Sequence, residues 1–246
     1  MREVSGTSVL LLYSKEDIAG VNIAKELTRL LNFKKADVKC LGKDVLTYEN
    51  YAYLIEIDQD LIYLDNFRPP FSSIEVIFFL SRHSSASGVP CLTTHVSGNL
   101  TDEALYGGKP KELAIAHPQY MSAALRELHR QNEEFKLDFL VSLEATHHGP
   151  TEVDFPSLFI EIGSKLEDWK NAKAAKAVAQ AVVNMLKEKP EGKEGAIAFG
   201  GGHYPPKISQ YVLQGGVVGH IFPKYVLAQY QKLDLSIVEK AMRRSY

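Results

Sequence analysis

The chain has 246 residues, of which 45% are apolar and 24% are charged, and its formal net charge is -2. This composition is that of an ordinary globular protein and excludes a disordered or collagen-like chain. The charge provides no overall positive field, so a nucleic-acid partner would have to be held by a local basic patch.

The cysteines and the start of the chain bear on where the protein works. Cys40 and Cys91 lie far apart and suggest no disulfide framework, which is typical of a reducing cytosol. The apolar run 9–12 is too short for a signal peptide or a membrane span. We therefore expect a cytoplasmic protein with no membrane association, present as a monomer or a small homo-oligomer.

The first part of the chain predicts a strand, a helix and further strands. Residues 8–14 form a buried-type apolar run, and Ser14 with Asp17 has the spacing of a capping box at a helix start. Residues 74–81 are continuously apolar, β-branched and aromatic, which indicates a central strand covered on both faces. Other strand patterns in this part occupy residues 51–58, 61–65 and 91–99.

The later part continues this alternation. Residues 118–134 and 235–245 have helical patterns, and Ser236 with Glu239 resembles a capping box in the second of them. Residues 167–187 predict one long helix with an apolar stripe and a polar stripe. Strand patterns leading into loops occupy residues 137–151, 157–164, 195–206 and 217–225.

No internal repeat or low-complexity linker divides the chain. Strands that alternate with helices favour an α/β fold with a mixed, mostly parallel sheet flanked by helices. The sequence therefore predicts a single domain over residues 1–246.

Four strand-like runs end in polar loops that carry histidines. If these strands are parallel, their carboxyl ends meet at one edge of the sheet, where open α/β sheets bind ligands. A single strand-end histidine is usually a hydrogen-bonded structural residue, as we expect for His117, His129 and His220. The clustering of the others predicts a reactive site, with the following loop residues: Arg82, His83, His95, His147, His148, His203 and Tyr204.

The adjacent His147 and His148 impose a geometric condition. Neighbours on a regular strand point to opposite faces, so both can serve one site only if the strand has ended, as Gly149-Pro150 suggests. Glu144 and Glu161 stand within apolar runs, and each could be a metal ligand, a carboxylate that orients an imidazole, or a member of an ion pair. A metal is one possibility, and a histidine acting as general base without metal is the other.

Two further segments have both a functional and a structural interpretation. Gly200, Gly201 and Gly202 could offer backbone N–H groups to a phosphate or an oxyanion, or simply form a tight turn. The lysines of the 167–187 polar stripe could be a solvated face or a contact to an RNA backbone.

Together, these motifs resemble the D-aminoacyl-tRNA deacylases of the archaeal and plant type. They are "SRHSSASGVPCLTTHVSGN", "EATHHGPT", "FIEIGS" followed by Trp169, and "GGGHY", which occur in this order. The resemblance implies hydrolysis of the ester between a D-amino acid and the tRNA 3′ end, with zinc as cofactor and aminoacylated tRNA as partner. It also implies a phosphorylase/hydrolase-like fold, akin to peptidyl-tRNA hydrolase.

The resemblance leads to a hypothesis for the site. We expect catalysis by His147, His148, Glu144 and His203, and zinc ligands among His95, His147, His148, His203 and Glu161. Substrate contacts are expected from Arg82, His83, Thr146, Thr151, Tyr204 and the three glycines, Gly200, Gly201 and Gly202, with Lys170, Lys173 and Lys176 as further candidates for the tRNA end.

Two rival functions remain open at this level. One is a metal-dependent amidohydrolase or a phosphorylase of the same broad fold that acts on a small substrate. The other is a tRNA-binding protein without enzymatic activity, which would use the lysine stripe and tolerate loss of the histidines. The clustering of histidines favours an enzyme.

Overall fold

The computed structural model describes residues 7–192, 194–229 and 234–245. Residues 1–6, the first residues of the segment considered as a signal peptide, lie outside the described residues. The strands are β1 (Ser8–Ser14), β2 (Lys34–Cys40), β3 (Lys43–Tyr48), β4 (Ala52–Ile57), β5 (Ile74–Arg82), β6 (Cys91–His95), β7 (Leu140–Leu143), β8 (Ser157–Gly163), β9 (Ala196–Phe199) and β10 (Val218–Phe222). The first eight form one sheet in the order β2-β3-β4-β1-β5-β8-β6-β7, and β9 with β10 forms a separate parallel pair.

The sheet is mixed and mostly parallel, which confirms the predicted fold class. Strand β1 is parallel to β4 and β5, and β5 is parallel to β8. Strand β6, however, is antiparallel to β8, so that His95 at the carboxyl end of β6 pairs with Phe159 inside β8. The expectation that all the histidine loops share one edge of the sheet is therefore wrong, because β6 and β7 run in the opposite direction.

The helices confirm most of the predicted periodicity, with one correction. The predicted helix 167–187 is two helices, because Asn171 interrupts it and accepts hydrogen bonds from the N–H groups of Lys173 and Ala174 as the cap of the second one. The helices are α1 (Ile18–Leu30), α2 (Pro118–Glu134), α3 (Leu166–Trp169), α4 (Ala172–Lys187), α5 (Pro206–Leu213), α6 (Lys224–Leu227) and α7 (Leu235–Arg243).

Three local predictions differ from the structure. Residues 61–65, predicted as a strand, contain the 3₁₀ turn Leu61–Tyr63. The helix caps are Asp17 and Asp234 rather than Ser14 and Ser236, because each aspartate accepts a backbone N–H of the first helical turn. Strands β2 and β3 were not predicted, since charged residues interrupt the alternation of apolar and polar side chains on this partly exposed edge of the sheet.

The sheet is covered on both faces, as the apolar run of β5 predicts. Phe78 and Leu80 pack on the side of helices α1, α2 and α4, whereas Ile77 and Phe79 pack on the opposite side. That opposite side is covered by residues of the segments 61–67 and 153–155 instead of by a long helix. Its uncovered end, over β5, β8 and β6, is where the polar site lies.

The described residues also test the expectations about disulfides and membrane-spanning segments. Cys40 and Cys91 are buried free thiols, in agreement with the absence of a disulfide framework. Within the described segments, no helix combines the length and the apolarity that crossing a membrane requires.

His220 connects β10 to the segments that carry the site. Its Nε2–H donates to the Ala114 carbonyl (3.1 Å), and its Nδ1 accepts from the Thr146 hydroxyl (3.2 Å). The same hydroxyl accepts the N–H of Ile221 (3.0 Å). Burial, opposed by the bond to Ala114 and assisted by Arg244, lowers the pKa of His220 to about 3, so the imidazole is neutral in the folded protein.

This neutral histidine makes stability fall in acid. Between about pH 6.5, the unfolded pKa, and the folded pKa of about 3, the unfolded chain binds a proton that the folded chain does not. The contribution of His220 is therefore complete above pH 6.5 and decreases by up to about 1.4 kcal/mol per pH unit below it.

We predict that His220→Gln lowers the free energy of unfolding by roughly 1–3 kcal/mol at pH 7.5, because two buried hydrogen bonds are lost. The difference from the unsubstituted chain should shrink as the pH falls to 5. Urea denaturation at several pH values measures both effects, with exposed His129→Gln as the control. Parallel stability curves for the two chains would contradict the assignment.

Candidate active site

The site lies on the face of the sheet rather than at its edge. Glu161 of β8 is paired with Ser81 of β5 and with Thr93 of β6, so these side chains share one face. The ring of His95 stacks on Phe159 of β8, with centroids 5.1 Å apart. The site is thus assembled over β8, the strand at which the sheet changes direction.

The geometric condition on the adjacent histidines is met. Strand β7 ends at Leu143, and His148 has a left-handed backbone with φ of 44°. The turn brings both rings to the ring of His95, at centroid distances of 4.3 Å for His147 and 4.9 Å for His148. The strand therefore ends early enough for both histidines to serve one site.

Hydrogen bonds to the backbone define the tautomers of this pair. Nδ1–H of His147 donates to the Ala145 carbonyl (2.8 Å), and Nδ1–H of His148 donates to the Gly149 carbonyl (2.6 Å). In a neutral ring with a protonated Nδ1, the Nε2 atom carries a lone pair. Both histidines thus offer Nε2 as a metal ligand or a proton acceptor, a common arrangement in metal sites.

The three rings His95, His147 and His148 fit the donor set of a metal ion. One nitrogen from each lies within 4.8 Å of the other two. The Nε2 atoms of His95 and His148 are 3.2 Å apart, close to the spacing of about 3.3 Å that follows from two ligands at 2.0–2.1 Å in a tetrahedral site. The Nδ1 of His95 is buried without a hydrogen-bond partner and is 3.9 Å from carboxylate oxygens of both Glu144 and Glu161.

A buried carboxylate, Glu144, lies beside these rings. Its Oε1 is 3.0 Å from Nδ1 of His83, and its Oε2 is 2.9 Å from Nε2 of His203 and 3.5 Å from Nε2 of His147. None of these contacts has the direction of a well-formed hydrogen bond, so they are close polar contacts rather than hydrogen bonds. Glu144 is therefore the group that links the rings of His95 and His147 to His83 and His203.

The surroundings separate the histidines into two kinds. Burial lowers the pKa of His148 to about 4 and, together with neighbouring imidazoles, holds the pKa of His95 and His147 well below the usual range. Burial opposes protonation of His83 as well, but Glu144 and Glu161 outweigh it and raise the pKa of His83 to about 12. Three rings are thus neutral donors, while the fourth is an imidazolium.

The surroundings also give the two carboxylates, Glu144 and Glu161, different pKa values. Burial favours the neutral acid in both, yet His203 and His83 hold the pKa of Glu144 well below its usual range. Glu161 is 3.6 Å from Nδ1 of His83 and lies near the charge of Glu144, and burial raises its pKa to about 7. Glu144 is accordingly the anion that His83 balances.

The predicted substrate residues Arg82, His83 and Tyr204 occupy different depths. His83 is 5% exposed, and its Nε2–H donates to the oxygen of Tyr204 (2.6 Å). Arg82 lies at the rim, with its guanidinium 5.7 Å from the centre of the Trp169 ring. His83 thus lies between Glu144 and Tyr204, whereas the Arg82 guanidinium also lies 3.4 Å from the Asp60 carboxylate.

Other predicted substrate contacts have partners within the protein. The Thr146 hydroxyl is bonded to His220 and Ile221, and the Thr151 hydroxyl accepts the N–H of Lys109 (2.9 Å). Both threonines therefore hold loops together, and we do not retain them as substrate contacts.

Some backbone groups of the glycine turn before His203 also have hydrogen-bond partners within the protein. Gly200 donates its N–H to the Phe222 carbonyl (2.8 Å), and Gly201 accepts the N–H of Lys224 (2.9 Å) through its carbonyl. Gly200 and Gly201 have φ of 109° and 77°, which glycine adopts at little cost. Since the Gly200 N–H is used, only those of Gly201 and Gly202 stay as predicted donors to a ligand.

A cavity of about 710 Å³ opens over this cluster. His147, His148 and His203 lie in its wall, and Arg82 and Trp169 form another part of it. Several lining residues were not predicted as part of the site. Asp60 and Tyr106 lie outside the recognised motifs, Leu61 and Ile62 were assigned to a strand, and Asp17 was assigned to a helix start.

Asp17 has a structural role that its sequence position partly indicates. Its Oδ1 caps helix α1 through the N–H of Gly20 (3.1 Å), and its Oδ2 accepts the N–H of Arg82 (2.7 Å). Ser81 donates its hydroxyl to the same Oδ2 (3.1 Å). This buried carboxylate therefore positions the backbone that carries Arg82 and His83. The sequence indicated that a helix begins near Asp17 but assigned its cap to Ser14, and the contact to Arg82 depends on the tertiary structure.

Of the lysines predicted for the tRNA end, Lys170 comes directly after α3, whereas Lys173 and Lys176 lie on α4. Lys173 donates to the carbonyl of Lys136 (3.4 Å). Lys176 stands over the ring of Phe135 at 5.7 Å. The break at Asn171 thus divides the predicted stripe between two helices.

Comparisons with known proteins agree with the motifs of the chain. A family model described as D-aminoacyl-tRNA deacylase matches residues 71–246. A D-aminoacyl-tRNA deacylase of Thermococcus kodakarensis is 38% identical over 96% of this chain and 87% of its own length. One of Methanosarcina acetivorans is 33% identical over 98% of this chain and 82% of its own length.

Solved structures include a strong match. The crystal structure of a conserved protein of unknown function superposes with a TM-score of 0.86 and 33% identity, over 98% of this chain and 84% of that one. The futalosine hydrolase of Helicobacter pylori reaches only 0.44 with 11% identity, over 74% of this chain and 99% of its own, which is too distant to support any conclusion.

We predict that His147→Ala and His148→Ala each weaken the binding of a divalent transition metal by about tenfold or more, because each removes one of three nitrogen ligands. Titration with Co²⁺, followed by visible absorption and by metal analysis after dialysis, measures the change. His129→Ala, an exposed histidine of α2, is the matched control. Metal binding that survives both substitutions would exclude this cluster as the site.

Proposed function

The chain belongs to the D-aminoacyl-tRNA deacylase family, and from that premise we propose that it hydrolyses the ester between a D-amino acid and the 3′ end of tRNA. The products are free tRNA and the D-amino acid, so the reaction removes mischarged tRNA from translation. The observation that supports this most directly is the convergence of three neutral imidazoles, His95, His147 and His148, beside the buried Glu144. Because the proposed substrate takes part in translation, the function also supports a cytoplasmic location.

The metal that fits this donor set best is zinc. Three nitrogen ligands, of which those of His95 and His148 have a tetrahedral spacing of 3.2 Å, leave a fourth position open, which is the pattern of catalytic zinc sites. We propose His95, His147 and His148 as its ligands. Glu144 and Glu161 lie 3.9 Å from Nδ1 of His95, where their negative charge favours a proton on that nitrogen and leaves Nε2 as the ligand atom. When bound there, zinc supplies a water of lowered pKa and polarises the ester carbonyl.

His203 is the proposed general base. Its Nε2 faces the Glu144 carboxylate at 2.9 Å, and its ring lines the cavity with about a third of the side chain exposed. A ring held through Nε2 has Nδ1 free to take a proton from the attacking water and to return it to the ribose oxygen that leaves. Glu144, kept ionised by His83, stabilises the imidazolium that forms on His203.

The rest of the cavity supports the binding of the tRNA end. Arg82 stands at the rim, where a guanidinium can hold a phosphate, and its backbone is positioned by Asp17. The N–H groups of Gly201 and Gly202 remain the proposed donors to the ester oxyanion. The predicted single domain over 1–246 is kept as a proposal, supported by the site's use of side chains from residues 82–204.

Family membership disfavours both rival functions. A small-molecule amidohydrolase or phosphorylase would not need tRNA, and a simple RNA-binding protein would not need neutral imidazoles beside a buried anion. These alternatives remain outcomes of the first experiment below.

We expect D-Tyr-tRNA to be hydrolysed and L-Tyr-tRNA to be spared. Release of labelled tyrosine measures both rates, with and without exhaustive chelation and with zinc added back. Chelation should abolish the activity and zinc should restore it. Equal rates on both substrates, or no reaction on either, would refute the deacylase function, whereas full activity after chelation would refute the metal alone.

We expect His203→Ala to lower kcat by about 10²-fold or more, the usual loss when a general base is removed, with little change in KM. The metal content should stay the same, because His203 is not among the proposed ligands. His203→Gln keeps the size of the side chain and should be equally inactive. A loss of metal together with activity would instead place His203 in the metal site.

A further inference from the structure

One aromatic side chain at the mouth of the cavity has no part in the mechanism above. Tyr106 lines the same cavity as His147 and His148, yet 64% of its surface is exposed. It belongs to a loop between β6 and α2 that neither the motifs nor the comparisons assign to the site. An exposed aromatic ring beside a polar cluster is a feature of ligand-binding surfaces.

The backbone of Tyr106 is joined to the turn that carries His148. The N–H of Gly149 donates to the Tyr106 carbonyl (2.9 Å). Asp65 then connects the two segments, because its carboxylate accepts the N–H of Gly108 (3.1 Å) and that of Thr151 (2.8 Å). The backbone that carries the Tyr106 ring is therefore hydrogen-bonded to the turn that positions His147 and His148.

Close packing restricts this loop further. Gly107 has φ of 76°, and a Cβ added there would lie 2.0 Å from the Ile62 carbonyl oxygen. The Asn99 amide donates to the carbonyls of Gly107 (2.9 Å) and Lys109 (3.2 Å). A ring presented by such a constrained backbone loses little conformational entropy when it binds a planar partner.

The nature of the substrate decides which part of it meets Tyr106. The ester carbon must reach the histidines, and the amino acid can be enclosed in the cavity. The tRNA is too large to enter, so the ribose and base of its terminal nucleotide must lie at the mouth. That nucleotide is an adenosine in every tRNA, whereas the amino acid varies, so a fixed aromatic surface suits the adenine.

We propose that Tyr106 is a positioning residue that stacks on the adenine of the 3′-terminal adenosine. The proposal rests on the deacylase function, since it assumes that a tRNA end occupies the cavity. Trp169, whose Nε1–H donates to the His83 carbonyl (2.9 Å), and Arg82 over its face line the same cavity. The base is assigned to Tyr106 and the phosphate to Arg82.

The first test separates binding from chemistry. Tyr106→Ala should raise KM for D-Tyr-tRNA about tenfold, the scale of one lost base–aromatic stack, with kcat within about twofold. Tyr106→Phe keeps the ring and should behave as the unsubstituted enzyme. Leu105→Ala, the exposed neighbour in the same loop, is the control for loop disturbance. A fall in kcat at unchanged KM, or an equal effect of Leu105→Ala, would overturn the proposal.

A second test needs no turnover and so remains decisive if the deacylase function fails. Binding of uncharged tRNA that ends in -CCA is compared with binding of the same tRNA lacking its terminal adenosine. The unsubstituted protein should prefer the complete end about tenfold, and Tyr106→Ala should abolish that preference while Leu105→Ala retains it. No preference in the unsubstituted protein, or one that survives Tyr106→Ala, would refute the stacking site.

Discussion

The site depends on a buried negative charge that must be neutralised. Glu144 is 1% exposed, and a desolvated carboxylate is stable only beside positive or hydrogen-bonding partners. His83 provides the positive charge at 3.0 Å. Loss of one partner from such a pair typically costs about 3–5 kcal/mol, because the other charge stays buried. His83 is therefore as necessary to the site as the groups that face the cavity.

Within this one cluster, the histidines differ in charge and in access to the cavity. His83 carries the proton that balances Glu144, whereas burial, with the neighbouring imidazoles, keeps His95, His147 and His148 neutral, with lone pairs that a metal could use. His203 touches the same carboxylate but reaches the cavity, where a proton can be exchanged. Groups whose surroundings drive their pKa values apart are a recurring basis for acid–base assignments in active sites.

Loops supply nearly all of these side chains, and carboxylates give the loops their rigidity. Asp17 joins the start of α1 to the backbone of Arg82, and Asp65 joins the Tyr106 loop to residues 151 and 152. Each accepts several backbone N–H groups, which restrains a segment without secondary structure. Catalytic groups must be held closely to be effective, so these two aspartates are part of the site although they need not touch the substrate.

The sequence by itself determined the α/β class, the central strand β5, the helices α1 and α2 and the set of histidines, because periodicity and strand-end loops are local patterns. It also determined the family, through four motifs in order. Only the tertiary structure decided how these parts meet: β6 reverses direction, so the site lies over the face of β8 rather than at a common edge. The charge of His83, the neutrality of His95 and the place of Tyr106 likewise depend on neighbours remote in sequence, which no local pattern records.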